Sequence, residues 1–128
     1  MGGLKFVPAL MPLLPLILLL PARAEPACLA GLYVVQLQDR PDRAALRQRL
    51  GPEHRRWVAS LRGRIVAAGS LHAQPQAAAE GGLWLVRGAD LSEVRALVQQ
   101  DPYWRGGLRQ ALQIRFWCRG FPPGAVSL

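Results

Sequence analysis

Hydrophobic and polar residues alternate along four short stretches of the chain and recur at helical spacing between them. "GLYVVQLQ", residues 31–38, is a β-branched, apolar run with polar residues at its end, and it predicts a first strand. "DRPDRAALRQRL" follows, with Asp42 as the expected N-cap and Ala45, Leu46, Arg49 and Leu50 on one helical stripe. Gly51-Pro52 then predicts an interruption and a fresh helix over residues 51–63, because proline suits a first turn and Gly63 closes the run. On that helix His54, Trp57, Val58 and Leu61 share one face, which puts a titratable imidazole on the stripe that faces the core.

The second half repeats the scheme. "RIVAAGS", residues 64–70, predicts a second strand, "LHAQPQAAAEG" a long loop, and "GLWLVRG", residues 82–88, a third strand. In "ADLSEVRALVQQ", Asp90 and Glu93 form a capping-box pair, with Leu91, Val94, Leu97 and Val98 as the buried side. Asp101 precedes Pro102, and a residue before proline is pushed out of the α region, so the helix ends there. "ALQIRFWCR" then alternates strictly, Leu112, Ile114, Phe116 and Cys118 on one face and Gln113, Arg115, Trp117 and Arg119 on the other. The order β-α-β-β-α-β predicts an α+β fold, a ferredoxin-like split βαβ sandwich with strand order 4-1-3-2. Two helices cover one sheet face. The other is expected to hold large groups such as Tyr33 or Trp84, and an apolar face of that kind predicts a partner, most simply a homodimer joined through the sheets.

The ends of the chain read differently. Residues 1–24 carry a lone Lys5, an apolar run from Val7 to Leu20 and an A-x-A pattern at Ala22 and Ala24. That is the design of a cleaved signal peptide, and the run, broken by Pro8, Pro12 and Pro15, is too short to span a hydrocarbon core of roughly 30 Å. The mature chain would begin at Glu25, with a domain over 25–120 and a flexible tail over 121–128, in the periplasm or outside the cell and free of the membrane. Cleavage removes Lys5 and Arg23 from sixteen basic residues and leaves fourteen against eight acidic ones, a net of +6. With no lysine left and the arginines scattered, this charge reads as a solvated surface rather than a nucleic-acid site. Export also makes a disulfide the expected state of the two cysteines: Cys28 precedes strand one and Cys118 ends strand four, its antiparallel neighbour. Two cysteines and two histidines show no metal-ligand spacing, so neither metal nor cofactor is expected.

Taken in order, "LYVVQLQD", "EHRRWVASLRGRIVAAGSL" and "DPYWRGGL" with "LQIRFW" behind it resemble the YciI-like (YCII-related) proteins of the dimeric α+β barrel superfamily. The likeness runs from Tyr33 to about Trp117 and rests on a histidine in the first helical region, the strand "GRIVAAG" and the Asp-Pro-aromatic turn. The resemblance implies a His–Asp active site, matched here by His54 and Asp101, in lyases or isomerases of hydroxylated or chlorinated rings. The residues agree with it. A histidine near a helix N-terminus is favoured as a neutral base, and a carboxylate fixes its tautomer and orientation. A base of this kind suits proton abstraction or elimination next to a carbonyl or phenol.

Each of these residues also has a plainer reading. His54 can be a packed core histidine, Asp101 a turn residue, Ser70 a strand-end hydroxyl and His72 a solvated loop side chain. Trp57, Trp84, Tyr103 and Trp104 serve either core or dimer packing or the walls of an aromatic ligand pocket, and Asp39 and Arg40 read as surface charges. The expected site is catalytic His54 and Asp101, with Ser70, Trp57 and Tyr103 on a small-molecule substrate. The alternative is a non-catalytic binding or accessory protein of the same fold.

Overall fold

The computed structural model describes Cys28 and residues 31–121. The expected signal peptide lies outside the described residues, as does the tail beyond Phe121. The elements run β1 (Leu32–Asp39), α1 (Ala44–Ser60), β2 (Ile65–His72), β3 (Ala79–Arg87), α2 (Leu91–Val98), α3 (Pro102–Arg105) and β4 (Arg109–Phe116). The strands form one antiparallel sheet in the order β2-β3-β1-β4, the expected order read from the other edge.

Period-two alternation and register build the core as rows across the sheet. Val35 lies between Trp84 of β3 and Ile114 of β4, and Tyr33 lies between Val86 and Phe116. Of these, Tyr33, Val35, Trp84, Val86 and Ile114 form one core with Val94, Leu97 and Val98 of α2, with Trp57, Val58 and Leu61 of α1 packed against it, while Phe116 is half exposed. Tyr33 and Trp84 are therefore buried under the helices, not displayed on the open face as the sequence pattern predicts. Alternation shows which residues share a face but not which face the helices take. The open face instead carries Val34, opposite Leu85 and Arg115, and Gln36, opposite Leu83 and Gln113. It is a mixed face.

Three boundaries depart from expectation. α1 runs unbroken through Gly51-Pro52. Proline inside a helix removes one hydrogen bond and crowds the carbonyl four residues back, a cost of about 3 kcal/mol. Packing on both sides of Pro52 outweighs it: Gly51 is buried, and a Cβ there would lie 3.4 Å from the Tyr103 hydroxyl. Asp42 is not the N-cap. Arg43 takes that position without a side-chain hydrogen bond, and Asp42 adopts φ 59°, a left-handed conformation that aspartate tolerates better than most residues. The expected long loop shrinks to residues 73–78, since β2 continues to His72 and β3 starts at Ala79.

The capping box is present. Asp90 accepts the Glu93 N–H at 2.8 Å, and Glu93 reaches back to the N–H of Ala89 at 2.9 Å. No helix among the described residues is long and apolar enough to cross a membrane. The Trp117 N–H donates to the Leu32 carbonyl and extends the β1–β4 ladder to the edge where Cys28 and Cys118 are joined in a disulfide, Cα–Cα 4.4 Å.

This geometry sets the cost of two kinds of substitution. The bridge closes a loop with a sequence separation of 90, so Cys118→Ser is expected to cost about 2–4 kcal/mol in urea unfolding, mostly through the freed unfolded chain. Non-reduced protein should show no alkylatable thiol. In β3 a Cβ on Gly81 would overlap the Leu37 carbonyl of the neighbouring strand, whereas one on Gly69 of β2 would meet nothing within 4 Å. Gly81→Ala should therefore cost about 1–3 kcal/mol, and Gly69→Ala about 0.5 kcal/mol or less, both read from the same unfolding curves.

Candidate active site

α1 and the turn before α3 bring two distant residues together. His54 Nδ1 lies 2.6 Å from Asp101 Oδ1; the aspartate side chain is fully buried and the imidazole 13% exposed. Pro102 holds Asp101 in an extended conformation (φ −59°, ψ 130°), which turns its carboxylate back over the start of α3. There Oδ1 also accepts the Tyr103 N–H at 3.0 Å. Asp101 is thus both the turn residue of the plainer reading and the partner of His54. An ionised carboxylate only accepts, so Nδ1 carries the proton, and in the neutral imidazole the lone pair is on Nε2. His54 stands in the middle of α1, because that helix is continuous. The helix-terminus effect expected for it falls away, since it extends only one turn from the end.

A second set of charges supports the pair from below. Arg109 Nη1 lies 2.7 Å from Asp39 Oδ1, and Arg47 Nε lies 3.0 Å from Asp39 Oδ2. Arg47 also donates to the Gly81 carbonyl at 3.0 Å. Asp39 is therefore a buried ion-pair partner and not a surface charge, whereas Arg40 is exposed and donates to the Gly107 carbonyl. Arg109 Nη2 comes within 3.9 Å of Asp101 Oδ2, which has no hydrogen-bond partner. The Tyr103 ring is stacked on the imidazole at 3.9 Å between centroids, and the Arg47 and Arg109 guanidinium carbons sit 5.0 and 4.8 Å from its centre. Such packing restricts the rotation of His54. Among the described residues no cluster of three or more His, Cys, Asp or Glu is placed to hold a metal ion.

The expected substrate contacts scatter. Tyr103 touches the dyad. Trp57 packs 5.9 Å from the Trp84 ring and lines a cleft with Leu50, Glu53 and Arg105. Ser70 is exposed on β2 and hydrogen-bonds His72 Nε2 at 2.7 Å, with no hydrogen bond to His54 or Asp101. His72 is held in turn by the Ala77 carbonyl at 2.7 Å. A carbonyl only accepts, so His72 Nδ1 carries the proton, and in the neutral imidazole Nε2 accepts from the Ser70 hydroxyl and leaves the lone pairs of Oγ available. A second cleft runs along the end of β1 past Arg40, Arg47 and Gln113. His54 is in the wall of neither, so the pocket expected around it is not one of these two clefts.

Sequence reasoning missed Arg47 and Arg109. Strict alternation from Ile114 through Leu112 puts Gln110 inward and Arg109 outward. A register shift between Gln38 and Asp39 pairs Asp39 with Arg109 and reverses that parity. No local feature of "LRQAL" marks the shift.

The chain matches the YCII-related domain over residues 31–118. No curated protein is significantly similar to it. Among solved structures, it is similar to 5-chloro-2-hydroxyhydroquinone dehydrochlorinase (TftG) from Burkholderia phenoliruptrix AC1100, in complex with 2,5-dihydroxybenzoquinone. That likeness has a TM-score of 0.64 at 22% identity and covers 70% of this chain and 95% of that one. It is also similar to TTHA0845 from Thermus thermophilus, with a TM-score of 0.43 at 21% identity over 71% of this chain and 96% of that one. At these identities the dehydrochlorinase likeness shows a common fold. The domain match spans more than half of the chain and all seven elements, and by it the protein belongs to the YCII-related domain family.

Proposed function

We propose that this protein is a cofactor-independent lyase or isomerase in which His54 is the general base and Asp101 its orienting partner. The substrate class is a small hydroxylated ring or its keto form. One observation carries the reading: the 2.6 Å contact between a partly accessible imidazole and a fully buried carboxylate, which leaves Nε2 as the free base. Asp101 keeps the proton on Nδ1 and stabilises the imidazolium formed when Nε2 takes a proton from the substrate. Tyr103 holds the ring in plane, and Ser70 Oγ is offered as acceptor for a substrate hydroxyl. The dehydrochlorinase of the same fold acts on a hydroxylated, chlorinated ring, a reaction class that suits such a base. The proposal extends to an exported homodimer, mature from Glu25, and the Cys28–Cys118 disulfide supports the export.

One observation favours the second reading, a binding or accessory protein without turnover: His54 lines neither of the two clefts. Turnover of hydroxylated and chlorinated hydroquinones by the folded protein separates the two. His54→Ala is expected to lower kcat by about 10²–10⁴-fold with an unchanged circular dichroism spectrum. Asp101→Asn keeps a helix cap but loses the charge, and it should lower kcat more than it raises KM. Equal turnover by wild type and His54→Ala would reject the base. Ligand binding without turnover by either would establish the second reading.

A further inference from the structure

Gly82 of β3 lies in register between Leu37 of β1 and Ser70 of β2, on the sheet face that carries the helices. A Cβ at this position would meet the Gly69 carbonyl oxygen at 3.2 Å, Trp84 Nε1 at 3.4 Å and Arg109 Nη2 at 3.5 Å. With no side chain there, Gly82 is bordered closely by that carbonyl oxygen and by two N–H donors. Both belong to buried side chains, Trp84 at 2% and Arg109 at 1% exposure.

Neither donor is satisfied. The indole N–H of Trp84 has no hydrogen-bond partner among the described residues. Arg109 commits Nη1 to Asp39, while its Nε has no acceptor and its Nη2 stays 3.9 Å from Asp101 Oδ2, beyond hydrogen-bond reach. Two donors that lack an acceptor among the described residues and converge beside Gly82 are placed to receive one from outside the chain. One neutral and one cationic donor together select an oxygen that carries negative charge. The dyad is adjacent, with the Trp84 and His54 ring centres 6.1 Å apart.

We propose that Gly82, Trp84 and Arg109 form an oxyanion subsite for a carbonyl oxygen of the substrate, next to the carbon that His54 deprotonates. This rests on His54 as the base and adds what receives the charge. Nε2 takes the proton. The C–H electron pair becomes a carbon–carbon double bond, and the carbonyl π pair moves onto the oxygen held by Trp84 Nε1–H and Arg109 Nη2–H. Return of the proton to another carbon completes an isomerisation. Loss of an anionic leaving group from the ring completes an elimination. Fixed donors aimed at charge that develops in the transition state are among the strongest terms in catalysis of this type.

The test is titration of ¹⁵N-labelled full-length protein with 2,5-dihydroxybenzoquinone, following the four indole N–H resonances, that of Trp84 assigned by its loss in Trp84→Phe. The Trp84 signal should move downfield and saturate. Gly82→Ala, which fills the space, should weaken binding at least tenfold, and Trp84→Phe at least fivefold. His54→Ala should bind within threefold of wild type and show the same indole shift, so the subsite is read independently of the base. A Trp84 resonance that stays in place at millimolar probe overturns the subsite, whether or not the probe binds elsewhere. Unchanged affinity in Gly82→Ala overturns it too. Turnover retained in His54→Ala rejects the base alone.

Discussion

A carboxylate with no access to water must find its partners within the protein, and the fully buried Asp101 imposes that demand on most of the structure around it. Its Oδ1 is taken by His54 from α1 and by the Tyr103 N–H of α3, and its Oδ2 faces Arg109 at the start of β4. Arg109 passes the constraint on through Asp39 to Arg47, which returns to α1 and to the Gly81 carbonyl of β3. Two carboxylates and two guanidiniums thus balance within one largely buried cluster. Removing either member of such a pair leaves a buried charge alone, which costs far more than the pair contributes as a whole. The fold and the site share these four side chains.

The same constraint accounts for the continuity of α1. A break at Pro52 would free the His54 turn to rotate against the residues that precede it. The unbroken helix instead fixes Arg47 and His54 relative to each other, two turns apart, over the single ring of Tyr103. Buried Gly51 lets that tyrosine approach, since its Cβ would sit against the hydroxyl. The local preference for a helix break is outweighed by packing that comes from residue 103, which no inspection of residues 44–60 reveals.

This divides what was legible from what was not. Four strands, their order, the Asp90–Glu93 capping box and the inward stripe of His54 follow from periodicity and caps, because those signals are local and repeat. Asp101 was legible twice, as the residue before a proline and as the match to a family motif, and both readings describe the same carboxylate. Three things were hidden, each by a non-local cause. The covered face of the sheet depends on where the helices pack, which moved Tyr33 and Trp84 from display to core. The inward turn of Arg109 depends on a register shift opposite Gln38 and Asp39. The burial of Asp39 depends on Arg109 being inward.

The hidden residues are the ones that differ in kind from the dyad. The roles proposed for His54 and Asp101, a base and its orientation, are ones that a single hydrogen bond between two elements can meet. The proposed oxyanion subsite needs donors from more than one direction, and Trp84 and Arg109 bring them from a third and a fourth element, β3 and β4, beside Gly82. Arg109 stands in both sets. It neutralises Asp39 through Nη1 and turns Nη2 toward Asp101 and the gap above Gly82. A bound oxyanion at the gap would therefore draw on a guanidinium already held by Asp39. A fork fixed by Asp39 is preorganised, and preorganisation avoids the cost of moving dipoles at the moment of reaction.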